Sequence, residues 1–328
     1  MPHDISAIVG TRPARLRDPA TLESWLATRR RMETGQEKVT PRGRGRRHWK
    51  MFDAALATLS GVAWTAGKYD AGMRNALDIQ TAEIEIPVAR LPSAFDGYTI
   101  LHLSDLHLDG VPGLPERLNA LVSEIIVNRP IDLCAMTGDF LYRVGGPFEH
   151  VIDPLSELAA AIPARDGVVA TLGNHDVADM AAHMEASGIA VLANETVTLK
   201  RGDATVHLTG IDDVHYYYTP AADAALKATP DGCKIAMVHS PELGGCAAVR
   251  GFSLYLCGHT HAGQVCLPGG TPLITHSETG RKRAAGLWRV GGMIGYTSSG
   301  AGCSGQPLRF FSRGEISLIT LRQAKPNR

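Results

Sequence analysis

An α/β fold is predicted by three features of this 328-residue sequence. Short apolar runs alternate with helix-like segments, each run is continuous rather than alternating, and each ends beside a polar cluster. Continuous apolar runs mark strands covered on both faces. In such sheets, sites gather in the crevice beyond the carboxyl ends of the strands. A hydrophobic fraction of 44% supplies a substantial core.

In chain order the runs are Tyr98 to Leu103, Ile131 to Met136, Val168 to Leu172, Lys234 to Val238 and Phe252 to Leu256. The clusters after them are Ser104-Asp105-Leu106-His107, Thr137-Gly138-Asp139, Gly173-Asn174-His175-Asp176, His239-Ser240-Pro241-Glu242 and Cys257-Gly258-His259-Thr260-His261. Five polar clusters at five strand ends converge on one edge.

Residues 1–95 carry charge runs, the punctuation of Pro41, Gly43 and Gly45, and a helical pattern around Leu22 to Arg31, but no chemical motif. They are read as a mostly helical basic extension, with the main domain at 96–328. Arg29 to Lys50 is crowded with Arg and Lys and precedes an apolar run near Ala54 to Gly67. That run is bounded by Asp53 and Lys68 and falls short of the roughly 20 apolar residues a spanning helix needs. Residues 29–67 are expected to reach a membrane surface, since each Lys or Arg near anionic headgroups contributes roughly 1 kcal/mol. The competing reading is a solvated arm packed on the domain. The expected location is cytoplasmic, peripheral at the inner membrane, with twin-arginine export built on Arg46-Arg47 as the alternative.

Lys+Arg and Asp+Glu balance at 33 each, so overall charge gives no reason to expect a polyanionic partner. No basic patch interleaved with aromatics follows the motifs, and nucleic acid is not expected. The six cysteines show no framework spacing and are read as reduced core thiols.

The joint pattern of the clusters carries the chemistry. In Asp105-Leu106-His107 a period of two along an extended strand end puts carboxylate and imidazole on one face, where they can share a cation; His259 and His261 repeat the spacing. Asp139 follows a glycine after a buried strand and presents two oxygens that could bridge two cations, and Asn174 follows Gly173 in the same way. A set of carboxylate, imidazole and amide oxygen suits divalent ions such as Mn, Fe or Zn, and Cys257 and Cys266 are not among the expected ligands. His102 reads as a core histidine, His215 and His276 as loop residues able to approach the site, and Tyr216 to Tyr218 as a packing patch.

The ordered set D-x-H, G-D, G-N-H-D, H-x-P and G-H-T-H resembles the calcineurin-like metallophosphoesterases, and later segments such as Gly286-Leu287-Trp288 and Ser298-Ser299-Gly300 resemble their bacterial YkuE- and YaeI-like subgroup. The resemblance implies a two-sheet α/β/β/α sandwich with an outer helical layer on each side. It also implies two divalent metals, the first held by Asp105, His107, Asp139 and His261, the second by Asp139, Asn174, His239 and His259. Asp139 is then the bridge and His175 the catalytic histidine. The implied reaction is hydrolysis of a phosphoester, diesters preferred, with a metal-bridging hydroxide as nucleophile and Asp139 and His175 as catalytic residues. Alternatives are a phosphomonoesterase, a hydrolase of the UDP-2,3-diacylglucosamine pyrophosphate, and a non-catalytic scaffold. A lipid-linked substrate fits the basic arm. The pattern departs at Tyr142, where the better-known phosphatases carry an Asp that orients the histidine; Arg143 and Asn174 are the expected substrate contacts.

Overall fold

The computed structural model describes residues 19–36, 58, 61, 63–275, 277 and 280–324. After helices α1 (Pro19–Glu33) and α2 (Tyr69–Ala76) come strands β1 (Ile79–Val88) and β2 (Thr99–Leu103). Then follow α3 (Leu114–Asn128), β3 (Leu133–Thr137), α4 (Glu149–Ala160), β4 (Val168–Thr171), α5 (Met180–Ala186) and β5 (Ile189–Val191). The second half comprises β6 (Glu195–Arg201), β7 (Ala204–Ile211), α6 (Pro220–Ala228), β8 (Cys233–Val238), α7 (Gly244–Val249) and β9 (Leu254–Cys257). A small β10 (Cys266–Leu267) and β11 (Thr271–Pro272) hairpin precedes β12 (Gly286–Val290), β13 (Met293–Thr297) and β14 (Gly314–Gln323). The five expected strands are β2, β3, β4, β8 and β9.

These strands divide between two sheets. One runs β1-β14-β2-β3-β4-β5 and the other β12-β13-β9-β8-β7-β6. β2 through β5 are mutually parallel, as are β7, β8, β9 and β13. Register decides where the site falls. Leu103 lies opposite Met136, and Thr137 opposite Thr171, so the clusters after β2, β3 and β4 emerge side by side. Thr297 opposite Cys257 does the same for β13 and β9.

Side-chain alternation sorts each strand into two cores. Leu101, Leu103, Cys134, Met136 and Ala170 face the outer helices, where Leu114, Leu118, Leu121, Val122 and Ile125 of α3 repeat at helical spacing. Ile100, Leu133, Ala135 and Val169 face inward, against Leu208, Ile235, Met237, Leu254 and Leu256 of the other sheet. Ala236, Val238, Tyr255 and Cys257 pack outward on Ala222, Leu226 and Ala247 of α6 and α7. The layers are therefore α/β/β/α, and burial of each large inward side chain contributes roughly 2 kcal/mol.

β1 pairs in parallel with β14 along its whole length, from Ile79 opposite Gly314 to Val88 opposite Gln323. Part of the N-terminal 95 residues is thus built into the first sheet. The alternation in Thr81-Ala82-Glu83-Ile84-Glu85-Ile86 is the sequence signal for this edge strand. All six cysteines are free, and all but Cys246 are buried. Among the described residues no helix is long and apolar enough to cross a membrane.

His102 is fully buried on β2, with Nε2 2.9 Å from Thr137 Oγ1. Burial lowers its pKa to about 3, whereas the unfolded imidazole titrates near 6.5. Between those values the unfolded state binds the extra proton, so this residue lowers stability as pH falls through that window. His102→Leu should remove about 2 kcal/mol of the stability difference between pH 7 and pH 5; urea midpoints at the two pH values measure it, and an unchanged difference would refute the assignment.

Candidate metal centre

Beyond β2, β3 and β9 the chain leaves extended geometry. Asp105, His107, Asp139, His259 and His261 take φ of 51°, 40°, 58°, 75° and 50°. The expectation that Asp105/His107 and His259/His261 share a face through strand alternation is therefore corrected. The strands stop at Leu103 and Cys257, and left-handed turns, not an extended period of two, aim these side chains inward. Each left-handed residue without glycine costs on the order of 1–2 kcal/mol, and backbone hydrogen bonds hold the turns against that cost. Asp105 N donates to Gly138 O (2.9 Å), His107 N to Asp139 O (3.0 Å) and Gly302 N to Asp105 O (2.8 Å).

The turns bring the seven expected ligands together. Donor atoms of Asp105, His107, Asp139 and His261 lie within 4.8 Å of one another, as do those of Asp139, His239 and His259. Asp139 belongs to both groups. Its Oδ2 is 3.3 Å from His239 Nε2 and 3.7 Å from His107 Nε2. Asn174 Oδ1 joins the second group, 3.1 Å from His239 Nε2. All seven are buried.

The ring orientations fit a cation-binding set. His107 Nδ1 donates to Leu141 O (2.5 Å) and His239 Nδ1 to Thr137 O (2.7 Å), which leaves each Nε2 facing the cluster. There His107 Nε2 stands 3.2 Å from His261 Nε2, and His239 Nε2 stands 3.1 Å from His259 Nδ1. Burial lowers His107 to about 3 and also depresses His261, so two neutral rings face each other with ring nitrogens nearly in contact. A shared cation would satisfy ring nitrogens placed in this way.

Charge supports the same reading. Burial, the largest influence on His239, works against its charged form, yet Asp139, Asp105 and Asp213 outweigh it and raise its pKa well above the ordinary value. A field that draws a proton to His239 also draws a metal ion. Burial raises Asp105 to about 6, and Ser104 Oγ donates to its Oδ2 at 2.6 Å. Burial pushes Asp139 upward too, but His239, His175 and His107 together pull it well below the usual carboxylate range.

His175 borders the cluster, with Nε2 3.8 Å from Asp139 Oδ2 and 3.4 Å from Ser304 Oγ. Its Nδ1 donates to the main-chain carbonyl of Tyr142 at 2.7 Å. The orienting group is thus a backbone oxygen at the position where a side-chain carboxylate was missed. Asp176 does not take that role: its carboxylate accepts from the N–H groups of Asp139, Phe140 and Gly173, each at 2.8 Å, and fixes the two ligand loops to each other. Arg143 is exposed, outside the buried cluster. His215 does approach it, with its ring centroid 4.3 Å from that of His259 and Nδ1 2.9 Å from Glu242 Oε1. His276 lies outside the described residues.

Two arginines beside the cluster were not among the expected site residues. Arg309 is fully buried and donates to Ser299 O, Gly300 O and Gly302 O at 2.7–3.0 Å, bracing the loop that backs Asp105. Arg29, expected to face a membrane, is instead buried against the Gly173 to Asp176 loop. Arg29 stands in a charge run and Arg309 beside Leu308 and Phe310, and neither setting gave a cue. Of the proposed arm at residues 29–67, residues 37–57, 59, 60 and 62 lie outside the described residues.

A fold of two packed sheets with a shared-carboxylate cluster at their strand ends defines the class of dinuclear metallophosphoesterases. A family profile described as calcineurin-like phosphoesterase matches residues 98–263. The chain is 31% identical over 253 residues to the metallophosphoesterase YkuE of Bacillus subtilis (strain 168), covering 74% of this chain and 86% of the relative. It is 29% identical over 238 residues to the phosphodiesterase YaeI of Escherichia coli (strain K12), covering 68% and 82%. The chain belongs to the calcineurin-like phosphoesterase family and is a metal-dependent hydrolase of phosphoesters.

Gly258 is where the two sheets' loops meet, and a Cβ there would strike Ser104 Oγ and Asp105 Oδ2. Gly258→Ala should displace the Asp105 carboxylate and lower metal affinity by tenfold or more, on the order of a disturbed ligand support. Isothermal titration with Mn measures this; wild-type affinity would show that Asp105 does not contribute.

Proposed function

We propose that this chain hydrolyses phosphodiesters in preference to phosphomonoesters, using two divalent ions that share Asp139. The observation that carries the reading is the position of Asp139, whose carboxylate lies among His107, His175 and His239 and belongs to both donor groups. Asp105, His107, Asp139 and His261 would hold one ion, and Asp139, Asn174, His239 and His259 the other. Carboxylate, imidazole and amide donors suit Mn, Fe or Zn. When bound, such a pair acidifies water and neutralises charge on phosphoryl oxygens.

The chain's own groups do the rest. The carbonyl of Tyr142 takes the Nδ1 proton of His175, so proton exchange is committed to Nε2, which faces the cluster. With both ring nitrogens protonated, His175 would pass its Nε2 proton to the departing oxygen and return to the neutral Nδ1–H form. Asn174 would offer its amide oxygen to an ion, which leaves its side-chain N–H groups as the natural donors to a phosphoryl oxygen. Arg143, exposed and next to Tyr142 in the chain, is the outer candidate for a phosphate contact. Diester preference is carried by the likeness to the E. coli phosphodiesterase. A substrate bearing a lipid, met at the inner face of a membrane by basic residues of the 29–67 arm, is part of the same reading, and Arg29 takes no part in that surface because it is buried.

Metal-reconstituted protein should hydrolyse bis(p-nitrophenyl) phosphate faster than p-nitrophenyl phosphate, and should cleave a glycerophosphodiester or a glycerophospholipid in anionic vesicles. Asp139→Asn should lose both metals and all turnover, while His175→Ala should keep both and lose about 10² in kcat. Faster monoester or sugar-nucleotide pyrophosphate cleavage would replace the diester assignment. Equal metal loss in the two variants would overturn the division of roles, and metal-free, inactive wild-type protein would leave only a scaffold.

A further inference from the structure

We propose that Arg29 is a positioning residue for the Asn174-His175 loop, acting from helix α1 as a clamp on the two carbonyls that flank it. The inference rests on the reading that Asn174 and His175 serve the metal centre. Trp25, Arg29 and Glu33 stand at i, i+4 and i+8, on one face of α1. Trp25 Nε1 donates to Asp212 Oδ2 at 2.7 Å, and Glu33 Oε1 accepts from Ala178 N at 2.8 Å. Between these two anchors the Arg29 side chain, 1% exposed, passes under the loop.

Each part of the guanidinium has a partner. Nη1 pairs with Asp212 Oδ1 and Nε donates to Glu33 Oε1 at 3.0 Å. Nη2 donates to Gly173 O at 2.9 Å and to Asp176 O at 3.0 Å. The plane is stacked 3.6 Å over the Tyr217 ring. One nitrogen thus ties together the peptide oxygens on either side of Asn174-His175, and its charge is balanced by Asp212 and Glu33. A lysine can neutralise Asp212, but a single ammonium lacks the planar fork that spans a carboxylate and two carbonyls at once. With no donor, Gly173 O and Asp176 O are left unpaired in a buried segment, a condition the loop relieves by shifting. Asn174 and His175 shift with it.

The geometry is specific to Arg29. Arg30, its neighbour, pairs with Asp179 in an exposed ion pair at 2.5 Å and touches neither carbonyl. Arg29→Lys and Arg30→Ala are therefore compared in the full-length chain. In metal-free protein, hydrogen–deuterium exchange of amides 173–177, which exclude the Arg30 partner Asp179, should speed up about tenfold in Arg29→Lys and stay at the wild-type rate in Arg30→Ala. In metal-loaded protein acting on bis(p-nitrophenyl) phosphate, Arg29→Lys should lose about tenfold in kcat with KM within about twofold, the signature of a misplaced group rather than lost binding. Arg29→Ala should regain turnover with added methylguanidinium and not with methylammonium. Wild-type exchange in Arg29→Lys overturns the clamp, as does equal rescue by the two cations. Wild-type protein that fails to cleave the diester would overturn the reading above it, while the exchange comparison still decides this one.

Discussion

The carboxylate of Asp139 sits between two sheets at 1% exposure, and an isolated charge there would be prohibitive. Its surroundings answer that cost. His175 N donates to Oδ1 at 2.9 Å, and three imidazoles crowd Oδ2 within 3.3–3.8 Å. The peptide N–H of the same residue is taken by Asp176. Side chain and backbone of one residue therefore fix the loop after β3 to the loop after β4, and the histidines after β2 and β8 to both.

That arrangement requires backbone that extended strands do not supply. Five of the ligand positions have positive φ, and the glycines around them have no room for side chains. A Cβ on Gly138 would strike the Gly173 backbone, one on Gly173 would meet Asp139, and one on Gly300 would lie 2.7 Å from Asp105 Cβ. Strain of this kind persists only where surrounding contacts over-determine it. Here the bracing comes from Asp176 on one side, which accepts from the N–H groups of Asp139, Phe140 and Gly173, and from Arg309 on the other, which donates to the carbonyls of Ser299, Gly300 and Gly302 behind Asp105.

The strands and the gathering of the candidate ligands were legible because they obey local rules: β3 is an unbroken apolar run, and Gly138-Asp139 and Gly173-Asn174 follow their strands directly. The reason first given for Asp105/His107 was not the operative one, since alternation in an extended strand and successive left-handed turns both bring residues two apart to one side. What was illegible depends on distant partners. Arg29 reads as one cation in a basic run, and its meaning comes from Asp212, 183 positions away, and from carbonyls that leave no trace in side-chain chemistry. Tyr142 looked like the loss of an orienting carboxylate, because a sequence does not display which main-chain oxygens point at which ring.

The two-sheet architecture also makes the site sensitive to packing far from any ligand. Asp105, His107, Asp139 and Asn174 ride on the first sheet, and His239, His259 and His261 on the second. The polar tie from His239 Nδ1 to Thr137 O crosses between them, as do the donations of His259 N to both oxygens of Asp105 at 2.9 and 3.0 Å. Their spacing is therefore set by the layer of Ile100, Leu133, Ala135 and Val169 against Leu208, Ile235, Met237 and Leu254. A close-packed interior adjusts to a volume change by moving its walls. In this fold the walls carry the two donor groups of the candidate metal centre, so the apolar layer sets the spacing between the groups that meet at Asp139.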